Sequence, residues 1–203
     1  LHLEDAATDS AGSTAPENAG TTAAKGVVGR GRHFVAGQGI NCGIDLTNFP
    51  SGSNPHSTEA WFRDNATRNT LLGWGLSIPQ GIVVMQVASP PRLNMNCWGG
   101  GNVAGGSTIA LSQWYHVAHT YKTGEARLYV NGVLDNSSTG GSMNIPAPVQ
   151  MFVGGFGRRY DFAGDLDEVR VSKVTRSADW IKMAYENQKP TQTLVGILPQ
   201  PGD

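Results

Sequence analysis

Gly164-Asp165-Leu166-Asp167-Glu168-Val169-Arg170-Val171, followed by Ser177-Ala178-Asp179-Trp180-Ile181, is the stretch on which the reading of this chain turns. Neighbouring residues of a strand face opposite sides. Asp165 and Asp167 then share a face with Val169, while Glu168 and Arg170 share the other and are placed to form an ionic contact. The second half of the stretch predicts a helix with Ser177 as N-cap, running to about Asn187 and stopped by Lys189-Pro190. Its apolar residues Trp180, Ile181, Ala184 and Tyr185 fall on one side at helical spacing.

Upstream, short runs rich in Val, Ile, Tyr and Trp alternate with Gly, Pro and Asn turns, predicting strands at 33–35, 57–63, 70–74, 81–88, 92–98, 115–121, 126–130 and 150–154. Asn131-Gly132 is a hairpin signal because both residues tolerate positive φ. Residues 1–30 are rich in Ala, Gly, Ser and Thr and read as a short strand followed by a long surface loop. A last strand is expected at Thr193–Ile197, within one domain spanning 1–198, with a tail at 199–203.

The chain has 203 residues, 27 Gly, 11 Pro and a formal charge of −1, which gives no basic stripe for nucleic acid and no polybasic patch for a membrane surface. Neutral partners are favoured. There is no apolar run of membrane-spanning length and no signal peptide, and the start at Leu1 without Met fits a domain cut from a longer exported polypeptide. Cys42 and Cys97 permit one bridge, with two buried thiols as the alternative.

Three segments, in this order and spacing, resemble bacterial laminin-G-like, concanavalin-A-like domains: Thr58–Arg63; Gln113–Ala118 leading to Leu128–Gly132; and Phe162–Arg170. They cover most of the chain between Arg32 and Gln188. The resemblance implies an all-β, two-sheet antiparallel jelly-roll sandwich with one short C-terminal helix. It also implies binding of glycans or extracellular proteins, often with calcium, in an exported or surface protein of several domains. For such an ion Asp9, in the turn Asp9-Ser10-Ala11-Gly12, and Asp167 are the candidate ligands, with Asp165 in reserve; a metal-free Asx-turn is the alternative at Asp9.

Sandwiches of this shape also host hydrolases and lyases. A glycosidase of the laminarinase type needs carboxylates at alternate positions of one strand, and a retaining mechanism sets two of them about 5–5.5 Å apart. Val169 stands where the third carboxylate is required. The closing strand is therefore read as structural and the protein as no enzyme. His116 and His119, three apart, lie on opposite faces and are no joint metal site; each is read as a solvated or hydrogen-bonded strand residue. No nucleophile elbow or phosphate loop occurs.

A sugar offers an apolar face and a rim of hydroxyls, so its sites pair an aromatic platform with amide or guanidinium donors. Arg92, Asn94, Asn96 and Trp98 alternate onto one face, and Trp74 and Arg158-Arg159-Tyr160 are flanked by turns. These eight residues are the candidate glycan contacts, whereas Trp61 and Trp114 are assigned to the core and Trp180 to helix packing. The reading is a non-catalytic carbohydrate-binding module with a polysaccharide or glycan partner, located extracellularly, in the periplasm or at the cell surface, and not inserted in a membrane. An adhesion or spacer domain is the main competitor.

Overall fold

Along His56–Asp64 the side chains of Thr58, Ala60 and Phe62 point to one side and those of Glu59, Trp61 and Arg63 to the other, and this alternation separates the two layers of the molecule. The computed structural model describes residues 2–3, 7–8, 15–157 and 159–191. In chain order the strands are β1 (His2–Leu3), β2 (Ala7–Thr8), β3 (Glu17–Ala19), β4 (Thr22–Lys25), β5 (Arg30–Phe34), β6 (Gly39–Leu46), β7 (His56–Asp64), β8 (Asn69–Gly75) and β9 (Ile82–Val87). They continue with β10 (Arg92–Asn96), β11 (Val103–Thr108), β12 (Trp114–Lys122), β13 (Glu125–Val130), β14 (Val133–Thr139), β15 (Val149–Val153), β16 (Gly155–Phe156), β17 (Arg159–Tyr160) and β18 (Gly164–Ser172). Helix α1 spans Ala178–Gln188.

Two seven-stranded sheets carry the fold, ordered β11-β10-β9-β8-β15-β6-β3 and β14-β13-β12-β7-β18-β5-β4. Their inner faces bury Phe34, Phe62, Leu72, Trp74, Met85, Tyr121, Leu128 and Phe152's neighbours Met151 and Val153 in one apolar layer. This is the jelly-roll sandwich expected from the sequence. The eight expected strands all occur, with ends shifted by a few residues. The region read as a long loop instead holds β3 and β4, edge strands whose exposed or half-buried residues show no apolar alternation. The expected strand at Thr193–Ile197 lies outside the described residues.

Local chemistry fixes the connections. Asn131 and Gly132 have φ of 49° and 77°, the pair of positive values that a two-residue hairpin turn between β13 and β14 requires. The Asn131 side chain also accepts the His116 amide at 2.9 Å, tying the turn to β12. At the far edge, Asp135 of β14 accepts the amides of Gly106 and Ser107 on β11, both at 2.8 Å, so one carboxylate joins the margins of the two sheets.

The closing strand departs from simple alternation. Asp167 pairs with Trp61 and Arg170 with Glu59, so three steps on β18 match two on β7; Glu168, at φ 50°, is the extra residue. The bulge reverses the phase, and Val169 joins Leu166 in the core instead of sharing a face with Asp165 and Asp167. Asp167 holds this geometry. Its Oδ1 accepts the Glu168 amide at 2.8 Å, and its Oδ2 accepts the amides of Val27 and Val28 at 2.9 and 3.0 Å from the β4–β5 turn. Gly26 leaves the room, because a Cβ there would stand 2.4 Å from that oxygen. Glu168 and Arg170 approach at 3.5 Å, as their positions suggested.

Helix α1 follows its expected limits, with the Ser177 hydroxyl accepting the Trp180 amide. It covers the outer face of the second sheet: Tyr185 stacks on Trp61, whose indole N–H donates to Gln188 at 2.7 Å, and Ile181 packs on Ala118 and Tyr129. Trp61 is buried as assigned, but Trp114 is only half-buried, with the Arg63 guanidinium 5.3 Å from its ring.

His116 and His119 are buried rather than solvated. His116 lies under the helix beside Glu59, while His119 faces the core against His56, which stacks on Tyr121. Opposite faces are thus confirmed, with both faces covered. Cys42 and Cys97 are both buried and are not bridged to each other. Four strand spacings separate their positions, about 19 Å, far beyond disulfide reach.

Two consequences are measurable. Asp167→Ala strands three amide donors, and we expect a loss on the order of 3 kcal/mol, read as a lower urea midpoint at unchanged slope. Burial lowers the His56 pKa from 6.5 to about 4, its bond to the Asn54 carbonyl opposing, and burial then the His56 neighbour lower His119 to about 3. The unfolded chain takes up these protons below about pH 6.5 and the folded chain does not, so stability falls as pH drops from 6.5 through 4. Asp167 acts oppositely, since burial raises its pKa to about 6 and the folded chain is first to bind that proton. The acid-side fall in Tm should therefore be shallower in His56→Gln than in the parent; equal slopes would remove His56 as its source.

Candidate functional site

The outward positions of the first sheet are Asn94 and Asn96 on β10, Val84 and Gln86 on β9, Thr70 and, past a bulge, Gly73 on β8, Phe152 on β15 and Asn41 on β6. Half of this face is closed by the β16–β17 hairpin. Phe156 presses on Gly73 and Tyr160 on Gly39, where a Cβ would lie within 2.5 and 1.9 Å of the rings, and Phe152 packs edge-on against both. The other half stays open as a groove of about 460 Å³ lined by Arg68, Thr70, Gln86, Trp98, Arg159 and Asp161, among others. A shallower depression of about 220 Å³ adjoins it, sharing Gln86 and adding Asn94, Asn96 and Asn102.

Trp98 forms the rim at one end. Its φ is 50° and its exposure 46%. The backbone is held on both sides, the Trp98 amide donating to Asn96 Oδ1 at 3.1 Å and the Gln80 amide to the Trp98 carbonyl at 3.1 Å. The preceding Cys97 amide donates to Asn102 Oδ1 at 2.6 Å. An indole presented on so fixed a turn is a platform that needs little ordering when a ligand stacks on it. At the other end Asp161 is positioned by accepting the Thr70 amide at 3.0 Å.

The candidate contacts separate accordingly. Trp98 and Arg159 line the groove, and Asn94 and Asn96 line its neighbour. Trp74 does not belong to the site: it is 0% exposed, points into the core and donates its indole N–H to Thr58 at 2.9 Å. The glycines on either side, which made it look like a turn residue, lie within β8 and make room for Phe156 and for the Gly81 backbone. Tyr160 is half-buried as part of the plug, and Arg92 is exposed at the far end of β10, outside both depressions. Arg158 and Asp9 lie outside the described residues. Arg68, Thr70, Gln86 and Asp161 were missed; only Gln86 carried a signal, its place opposite Asn94 in the strand alternation.

The groove has no glycosidase carboxylate pair among the described residues, Asp161 being the one acid in its lining. The acids of the closing strand belong to the other sheet. Asp165 is engaged by His33 at 3.0 Å and by Arg63 at 2.8 Å. Asp167 does not fit a calcium ligand, because N–H donors already occupy both of its oxygens and present positive dipoles where a cation would stand. Among the described residues no cluster of three or more His, Cys, Asp or Glu is arranged to hold a metal ion.

The chain belongs to the concanavalin A-like lectin/glucanases superfamily, whose family model matches residues 38–182. No curated protein sequence matches it. Among solved structures, domain 4 of AbnA, a GH43 extracellular arabinanase of Geobacillus stearothermophilus in complex with arabinotriose, is similar at 20% identity and TM-score 0.67, over 86% of this chain and 90% of that one. The SAP-like pentraxin of Limulus polyphemus is similar at 18% identity and TM-score 0.57, over 72% and 77%. The Trypanosoma rangeli sialidase is similar at 15% identity and TM-score 0.59, over 76% of this chain but 27% of the enzyme. The fold is thus shared with binding domains and with parts of glycoside hydrolases. No described helix is long and apolar enough to cross a membrane.

The two tryptophans should respond in opposite ways. Trp74→Ala is expected to cost about 3–5 kcal/mol as a large core truncation, and Trp98→Ala to stay within about 0.5 kcal/mol as a surface change. Chemical denaturation of both variants checks the assignment.

Proposed function

We propose that the protein is a non-catalytic carbohydrate-recognition module that binds an oligosaccharide in the open half of the first sheet's outer face. The observation that carries this is the pairing of Trp98, fixed and half-exposed on the rim, with a floor of amide and hydroxyl groups from Gln86, Asn94, Asn96 and Thr70. An indole face suits the C–H side of a sugar ring, and the amides suit its hydroxyls. A non-catalytic role is supported by the single acid among the described residues that line the groove, since hydrolysis of a glycosidic bond by the usual route needs two. The extracellular arabinanase, one of whose domains resembles this chain over nearly its whole length, supports a setting outside the cytoplasm as an appended module.

A glycan array probed with the parent chain should give saccharide signals that Trp98→Ala abolishes and Trp114→Phe leaves in place. Signals unchanged by Trp98→Ala would place any binding elsewhere. Release of reducing ends from the bound polysaccharide would overturn the non-catalytic part.

A further inference from the structure

The groove is chemically asymmetric along its length. It follows β9, and its two ends are set by backbone contacts: the Gln80 amide bonds the Trp98 carbonyl beside Ile82, whereas Asn69, next to Arg68, pairs with Val87. Six residues of strand separate the two, about 17 Å. That is a length for several sugar rings and not for one. The aromatic platform thus stands at one end and a charged group of Arg68 and Asp161 at the other, with Arg159 on the hairpin that walls the groove.

The arginines of this groove differ from others on the surface. Arg63 is engaged by Asp165, Arg127 by Glu125 and Arg170 by Glu168. Among the described residues the side chains of Arg68 and Arg159 make no ion pair or hydrogen bond, and both are exposed. Asp161, the one acid among the described lining residues, spends one oxygen on the Thr70 amide and pairs with neither. The groove therefore holds two uncommitted guanidinium forks against one carboxylate. A neutral sugar offers such a fork only hydroxyls. An oxyanion offers charge-assisted, two-pronged bonds roughly twice as strong.

We infer that the groove selects an anionic oligosaccharide, with the carboxylate- or sulfate-bearing ring held by Arg68 and Arg159 and a further ring stacked on Trp98. This rests on the reading of the groove as a glycan site. The test is calorimetric titration of the full chain with oligogalacturonides and with sulfated chondroitin oligosaccharides. Each is run beside its carboxyl-reduced or desulfated counterpart, and neutral arabino- and xylo-oligosaccharides complete the panel. At least one anionic ligand should bind ten-fold or more tightly than its neutral counterpart, and which of the two series shows this separates carboxylate from sulfate. The preference should vanish in the Arg68→Gln, Arg159→Gln double variant, whose melting curve should match the parent's. Equal affinity for anionic and neutral forms, or a preference that survives in the double variant, overturns the inference. Either result leaves the glycan reading standing if Trp98→Ala still abolishes binding. Failure of every saccharide to bind overturns both.

Discussion

The carboxylate of Asp167 is the constraint around which the second sheet is arranged. A buried carboxylate is unfavourable unless its oxygens are satisfied, and here three backbone amides from two distant segments converge on it. One of those amides belongs to Glu168, the residue that breaks the strand's alternation. The other two belong to the turn that joins β4 to β5. The same side chain therefore sets the phase in which Val169 enters the core and the position of a hairpin some 140 residues earlier in sequence. Gly26 and Gly31 are small for the same reason, since a Cβ at either would collide with this strand.

Much of the architecture was legible because it is written in periodicity. The runs around Trp61, Val117 and Leu128 are rich in aromatic and aliphatic residues bounded by turns, the Asn131-Gly132 pair marks its turn, and Ser177 and Pro190 bracket the helix. Among the strands that escaped notice, the edge strands Glu17–Ala19 and Thr22–Lys25 bury too little to need an apolar stripe, while the inner strand Gly39–Leu46 carries two glycines, which strands disfavour. The bulge at Glu168 escaped for a different reason. Nothing in a run of alternating residues announces an inserted one when the insert is a glutamate at positive φ.

The candidate binding face was legible only in part. Trp98 and the asparagines before it lie on a regular strand and its exit, so counting by twos finds their face. Trp74 misled because a tryptophan between glycines looks like an exposed turn, whereas those glycines are what a tightly packed strand needs where other residues press on it. Arg68 and Asp161 reach the groove from irregular segments, and only the pairing of β8 with β9 brings Arg68 to the end of the strand that forms the floor. Composition alone, with a net charge of −1, hid a local excess of positive charge.

The hairpin that plugs half of the outer face has a bearing on how such grooves diversify. Phe156 and Tyr160 lie in hollows that exist because positions 73 and 39 lack side chains. The boundary of the open surface is thus drawn by residues that no ligand would touch. A methyl group at either hollow would lift its ring and move that boundary, so the footprint available to a guest is encoded on the floor beneath the lid as much as in the lid itself. In a lineage sharing this sandwich, a change in the extent of the open groove can arise from two glycines while every residue lining it stays the same.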